Sequence, residues 1–113
     1  MRKSDKKIDQ QLRKVLTEVC TQCKNTIKGF EWLTHRVNYS SFPNSLKVIC
    51  VFDTNVNLEN YIQSHNNHYL QSLINMTLCE LGIKLNKGKN IVSFDTEQNC
   101  QQQHNGNWAI RLS

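Results

Sequence analysis

Apolar residues recur at helical spacing through the first quarter of the chain. Wound at a helical period, Ile8, Leu12, Val15, Leu16, Val19, Cys23 and Ile27 fall on one stripe. Ser4 or Asp5 can cap this helix, which is expected to run to about Lys28, and Gly29 supplies a left-handed stop. The period then changes. Phe30 to Tyr39, rich in aromatic and β-branched residues, predicts a strand, and Ser40 to Ser45, with the sole proline Pro43, predicts a turn. Leu46 to Phe52 (LKVICVF) is almost continuously apolar, as a central strand covered on both faces would be. The short connection favours an antiparallel hairpin with the strand before it.

Asp53, Thr54, Asn55 and Asn57 are a cluster of helix-capping residues, and Leu58, Tyr61 and Ile62 give one short helical face. The polar run His65–Asn66–Asn67–His68 interrupts it before a cleaner face of Tyr69, Leu70, Leu73, Ile74, Leu78 and Leu81, stopped at Gly82. Lys84 to Asn90 reads as a basic loop and Ile91 to Phe94 as a third strand. Asp95–Thr96–Glu97 can cap a short helical turn through Gln103. Asn105–Gly106 is a tight-turn signal, and Trp108 to Leu112 alternates as a final strand. No internal repeat or linker is apparent. The order α-β-β-α-α-β-β predicts one α+β domain over residues 1–113, with helices packed on one face of a small, mostly antiparallel sheet.

Charge changes this picture more than composition does. Residues 1–28 carry eight Lys/Arg against Asp5, Asp9 and Glu18, a balance of +5, and the remainder carries six of each sign, so the first helix accounts for the whole net charge of +5. Arg2, Lys3, Lys6, Lys7, Arg13, Lys14, Lys24 and Lys28 lie opposite the apolar stripe, with Asp9 and Glu18 at the flanks. A one-sided basic ridge points to an anionic partner, because lysine and arginine on one face neutralise phosphates in a sequence-tolerant way. Lys84, Lys87 and Lys89 around Gly88 form a second basic spot, where a glycine lets backbone N–H groups approach a phosphate. The ridge has a plainer reading as a solvated helix face, with Asp9 and Arg13 at ion-pair spacing.

The chain has no apolar run long enough to span a bilayer and no apolar core of a secretory signal, so a cytoplasmic location and no membrane partner are expected. The odd count of five cysteines agrees, with Cys20, Cys50 and Cys79 expected as buried free thiols. Cys20 and Cys23 form a C-x-x-C, and His65 and His68 form an H-x-x-H. The first pair lies mid-helix and the interval is far from finger spacing, so both cysteines read as packing residues and no metal is expected. His35, Asp53, Asp95, Glu97 and His104 are the acid/base candidates in or beside strands and loops. Nothing in their spacing brings them together, and no nucleophile elbow or phosphate-binding glycine loop is present, so no catalytic residue and no cofactor are assigned. Phe30, Trp32, Tyr39 and Trp108 on predicted strands would stack nucleobases if exposed, and otherwise belong to the core.

Two resemblances bear on function. The order helix–strand–strand–helix–helix–strand resembles a type II KH domain and the small ribosome-assembly factors built on that plan, which implies RNA contact. The break between the paired helices, where such domains carry a Gly-x-x-Gly clamp, is His65–Asn66–Asn67–His68 here, without either glycine. The strings GFEWLTH (29–35), FPNSLKVICVFDTN (42–55), SFDTEQNC (93–100) and GNWAIR (106–111) are similar to a family of small gammaproteobacterial proteins, some labelled Fis-family transcriptional regulators. That resemblance implies nucleic-acid association. A Fis-like regulator would end in a helix-turn-helix, whereas the C-terminal third reads here as strands and turns. The expected function is therefore a small non-enzymatic protein that meets an RNA or DNA backbone, or a ribonucleoprotein, through its basic helix. The alternatives are an interaction module that is homodimeric or meets an acidic protein surface, and an enzyme using the acid/base candidates.

Overall fold

The first apolar stripe winds into helix α1 (Lys3–Thr26), which buries Leu12, Leu16, Val19 and Cys23 along one side. The computed structural model describes residues 3–83 and 90–112. The helix ends at Thr26, not Lys28, and a turn carries the chain through Gly29 into strand β1 (Phe30–Arg36). Gly29 has φ +85°, and its carbonyl accepts from the Asp53 N–H at 2.8 Å. A Cβ there would stand 2.6 Å from that of Asn57, so both backbone angle and space demand glycine. A single 3-10 turn (Tyr39–Ser41) leads to strand β2 (Lys47–Phe52), antiparallel to β1.

Helices α2 (Asn55–Gln63) and α3 (Tyr69–Glu80) follow, then strand β3 (Val92–Thr96) and helices α4 (Glu97–His104) and α5 (Trp108–Arg111). The sheet order is β1-β2-β3, and β3 runs parallel to β2, pairing Val48 with Val92 and Phe52 with Thr96. The α+β class holds, but the mostly antiparallel sheet becomes a mixed one. Two helices between β2 and β3 return the chain to the start of β2, and such a crossover sets strands parallel.

The central strand buries Val48 to Phe52, as its apolar run implied. Val48, Cys50 and Phe52 join the α1 stripe and Leu70, Ile74 and Leu78 of α3 in one core. The Phe52 ring lies 5.8 Å from Phe30, 5.5 Å from Tyr61 and 6.4 Å from Phe94. Ile49 and Val51 point to the opposite face, with Trp32 and Asp95 in register beside Val51. That face is covered by α4 and α5, so the helices do not all pack on one side of the sheet.

The expected final strand is instead α5. Its Asn107 cap accepts from the Ile110 N–H at 3.1 Å. Trp108 and Arg111 both reach back to partners at the β3–α4 junction, which residues three apart do on one helical face and not on alternating faces of a strand. Asn105–Gly106 is accordingly a helix stop rather than a hairpin turn. Asn105 is left-handed at φ 52°, and the Gly106 N–H bonds to the Cys100 carbonyl at 3.1 Å.

Candidate interaction surfaces

Lys3, Lys6, Lys7, Arg13, Lys14 and Lys24 are all exposed along the outer side of α1, and Lys28 is exposed in the turn that follows. Among the described residues, Lys6, Lys7, Lys14 and Lys24 join no ion pair. Asp5 turns inward and is buried, and Glu18 stays at the flank. Arg13 differs from the lysines, because its Nε donates to Asp9 at 2.9 Å, one helical turn back. Its side chain remains 73% exposed, so the other guanidinium nitrogens face solvent. Arg2, Lys84, Lys87 and Lys89 lie outside the described residues.

Beside this ridge runs an open groove of about 580 Å³ between α1 and β1. Arg13, Thr17, Thr21 and Lys24 form its helical wall, and Leu33, Thr34 and His35 form the other. Successive strand residues point to opposite faces, so three in a row line one groove only through the edge of the strand. β1 is indeed the first strand of the sheet, and its outer edge pairs with no strand among the described residues.

One end of the groove is anchored by Asp9. Its carboxylate accepts from Tyr39 Oη at 2.8 Å and Arg13 Nε at 2.9 Å, and lies 3.3 Å from His35 Nε2. The Tyr39 hydrogen bond, with His35 and Arg13, holds the Asp9 carboxyl below its ordinary range against the opposing effect of burial. Burial, followed by the bond to Asp9, pushes the Tyr39 phenol up to about 12. The depressed carboxyl adds stability above its unfolded value near 4, lost as pH falls through the folded one. The raised phenol adds stability below about 10, lost as pH climbs towards 12. Thermal unfolding followed from neutral to alkaline pH should therefore show a loss of stability above pH 10, shared with the buried Cys23 and Cys50 thiols and the Tyr61 phenol, and Tyr39→Phe should make it smaller. An identical alkaline profile in that variant would contradict the assignment.

The acid/base candidates divide among three places. His35 belongs to the Asp9 network. Asp53 accepts from the Thr54 N–H and from Asn57 Nδ2, which together hold its carboxyl low and serve the start of α2. While Glu97 is engaged separately by two tryptophans, Asp95 and His104 meet at Arg111. That guanidinium donates to both Asp95 oxygens at 2.5 and 2.9 Å and to Gln103 Oε1 at 2.7 Å, and lies 3.2 Å from His104 Nδ1. Glu97 accepts from two indoles, Trp32 Nε1 at 2.6 Å and Trp108 Nε1 at 2.9 Å, whose rings meet edge to face at 4.9 Å. Every charged group there is spoken for, so the cluster acts as a polar clamp that fastens α4 and α5 to the sheet. The α4 segment, EQNCQQQH, buries only Cys100, too little apolar surface to dock a helix unaided.

The aromatics follow the same logic. Phe30 is core, Tyr39 serves Asp9, and Trp32 and Trp108 are half-buried in the clamp. Of the cysteines, Cys23, Cys50 and Cys100 are buried, Cys20 is half-buried and Cys79 is exposed, which corrects its expected burial. Cys79 falls on the solvent side of α3, one position past the buried Leu78. Burial pushes the Cys23 thiol up to about 11 and that of Cys50 to about 12, away from the thiolate that binds metal or attacks. His65 and His68 are exposed in the turn between α2 and α3. Among the described residues no three His, Cys, Asp or Glu side chains are placed to hold a metal ion, and no helix is long and apolar enough to cross a membrane.

Sequence reasoning missed a second concave surface. A cleft of about 510 Å³ between the end of α1, α2 and the α2–α3 turn is lined by Lys28, Asn57, Asn60, Asn66 and Tyr69 among others. Its residues come from three segments, and no local pattern announces such a meeting. The chain as a whole matches no protein-family model, no curated protein and no solved structure.

Proposed function

We propose that this chain is a small, non-enzymatic binding protein that associates with nucleic acid or a ribonucleoprotein through the basic face of α1, in a regulatory or assembly role. The observation that carries this reading is the run of exposed lysines from Lys3 to Lys28, whose acidic neighbours are set aside, Asp5 buried, Asp9 held by Arg13 and Glu18 at the flank. Phosphate contact is the use of such a face that needs neither a cavity nor a catalytic group. Five unpaired cysteines suit the reducing cytoplasm.

The test is binding of the purified protein to single-stranded RNA, duplex RNA and duplex DNA across a salt series. Five to seven phosphate contacts would give a log–log slope of roughly −4 to −6, at about 0.7 to 0.9 per contact. Absence of binding at low salt would overturn the proposal. That result would favour an acidic protein partner or a second copy of the chain, since β1 and β3 both end the sheet with an unpaired outer edge among the described residues.

A further inference from the structure

The α1–β1 groove is more specific than the ridge that borders it, and we infer that it seats a single strand of nucleic acid rather than a duplex. The inference rests on the phosphate-binding reading and deepens it. Its two walls differ in chemistry. Arg13, Thr17, Thr21 and Lys24 follow one another at three- and four-residue steps, so they form a line along the helix about 16 Å long at 1.5 Å per residue. Arg13 and Lys24 put a cation at each end of that line. The facing wall is the outer edge of β1 at Leu33–His35, where peptide N–H and C=O groups have no partner strand among the described residues. No carboxylate lines the groove.

A polynucleotide strand has the complementary pair of sides, an anionic backbone and base edges that donate and accept hydrogen bonds. With its phosphates along α1 it turns its bases towards the strand edge. A duplex keeps its Watson–Crick edges paired and its remaining base edges recessed between the phosphate backbones, so its backbone would meet the ridge first. Charge also separates the occupants. The lysines extend past both ends of the groove, to Lys6 and Lys28, which suits a continuing polyanion better than a short acidic peptide laid on the β1 edge. The span accommodates a few phosphates of a single strand, with the neighbouring lysines taking the flanks.

Short labelled RNA and DNA strands, and the duplexes they form, distinguish the possibilities by anisotropy titration of the full chain. The single strands should bind at least tenfold more tightly than their duplexes at equal salt. Two single variants place the strand. Thr17→Glu puts a carboxylate into the groove wall, whereas Lys7→Glu reverses a charge on the far shoulder of α1. Thr17→Glu should weaken single-strand binding about tenfold and duplex binding little, whereas Lys7→Glu should weaken both alike. Equal affinity for strand and duplex in the unmodified protein would overturn the groove assignment and leave phosphate binding by the ridge intact. Equal loss of strand and duplex binding in Thr17→Glu would do the same. Failure of every nucleic acid to bind at low salt would overturn both readings together.

Discussion

Replacing Lys6, Lys7, Lys14 and Lys24 together by glutamate is expected to reduce nucleic-acid affinity by at least about a hundredfold, roughly 3 kcal/mol at 1.4 kcal/mol per decade. The four side chains are exposed on α1 and join no ion pair among the described residues, so the variant should remain folded. Arg13 is left out deliberately. Its Nε holds Asp9, and a carboxylate in its place would face the depressed Asp9 charge at one turn of helix and disturb the Tyr39–His35 network. Binding is read by anisotropy and folding by circular dichroism. The outcome that defeats the proposal is a folded variant with unchanged affinity. The salt slope should also shrink, because each lost contact removes one share of counterion release.

Glu97→Ala should be the most damaging single change in the C-terminal clamp, at about 2 to 3 kcal/mol of folding stability. Its carboxylate accepts from Trp32 and Trp108 at once, and its removal leaves two indole N–H groups without their protein acceptor. The wild-type pair is charge-assisted, and both rings are held edge to face by it. Glu97→Gln keeps one acceptor oxygen but sets an amide N–H against the other indole, so it should recover about half of the loss. Urea unfolding, with tryptophan emission as the probe, reads both variants. The clamp assignment fails if the alanine variant matches the wild type, or if glutamine costs as much as alanine.

The clamp also shows where sequence reasoning fell short and which signal was there to be read. Phe52–Asp53–Thr54 and Phe94–Asp95–Thr96 are the same tripeptide, and each makes the same junction. Both aspartates accept from the following threonine N–H, at 2.6 and 2.8 Å. Both threonines then cap a helix, through Asn57 and Asn99. Read as a repeat, the second copy predicts that β3 ends in a full helix like the one after β2. The two junctions are also joined directly, with Thr96 Oγ1 donating to Asn55 Oδ1 at 2.6 Å and Asn55 Nδ2 to Asn99 Oδ1 at 2.9 Å. No short-range pattern encodes that link, because it exists only once β2 and β3 lie side by side.

What the sequence determined by itself was whatever depends on neighbours along the chain. The stripe of α1, the continuous apolar run of β2, the break at residues 65–68, the Gly29 stop and the one-sided charge are all consequences of helical or strand periodicity, which acts within a few residues. The tertiary structure decided the rest. Only the crossover through α2 and α3 set β3 parallel to β2, against the antiparallel expectation. The facing carboxylates of Asp95 and Glu97, together with the Asn107 cap, favour a helix at Trp108–Arg111, whose alternating residues suit a strand equally well. The groove, likewise, exists because β1 falls at the sheet edge beside α1. Local periodicity chooses each element's conformation, but long-range pairing of buried polar groups chooses its neighbours, and in this chain the candidate binding groove is made by neighbours.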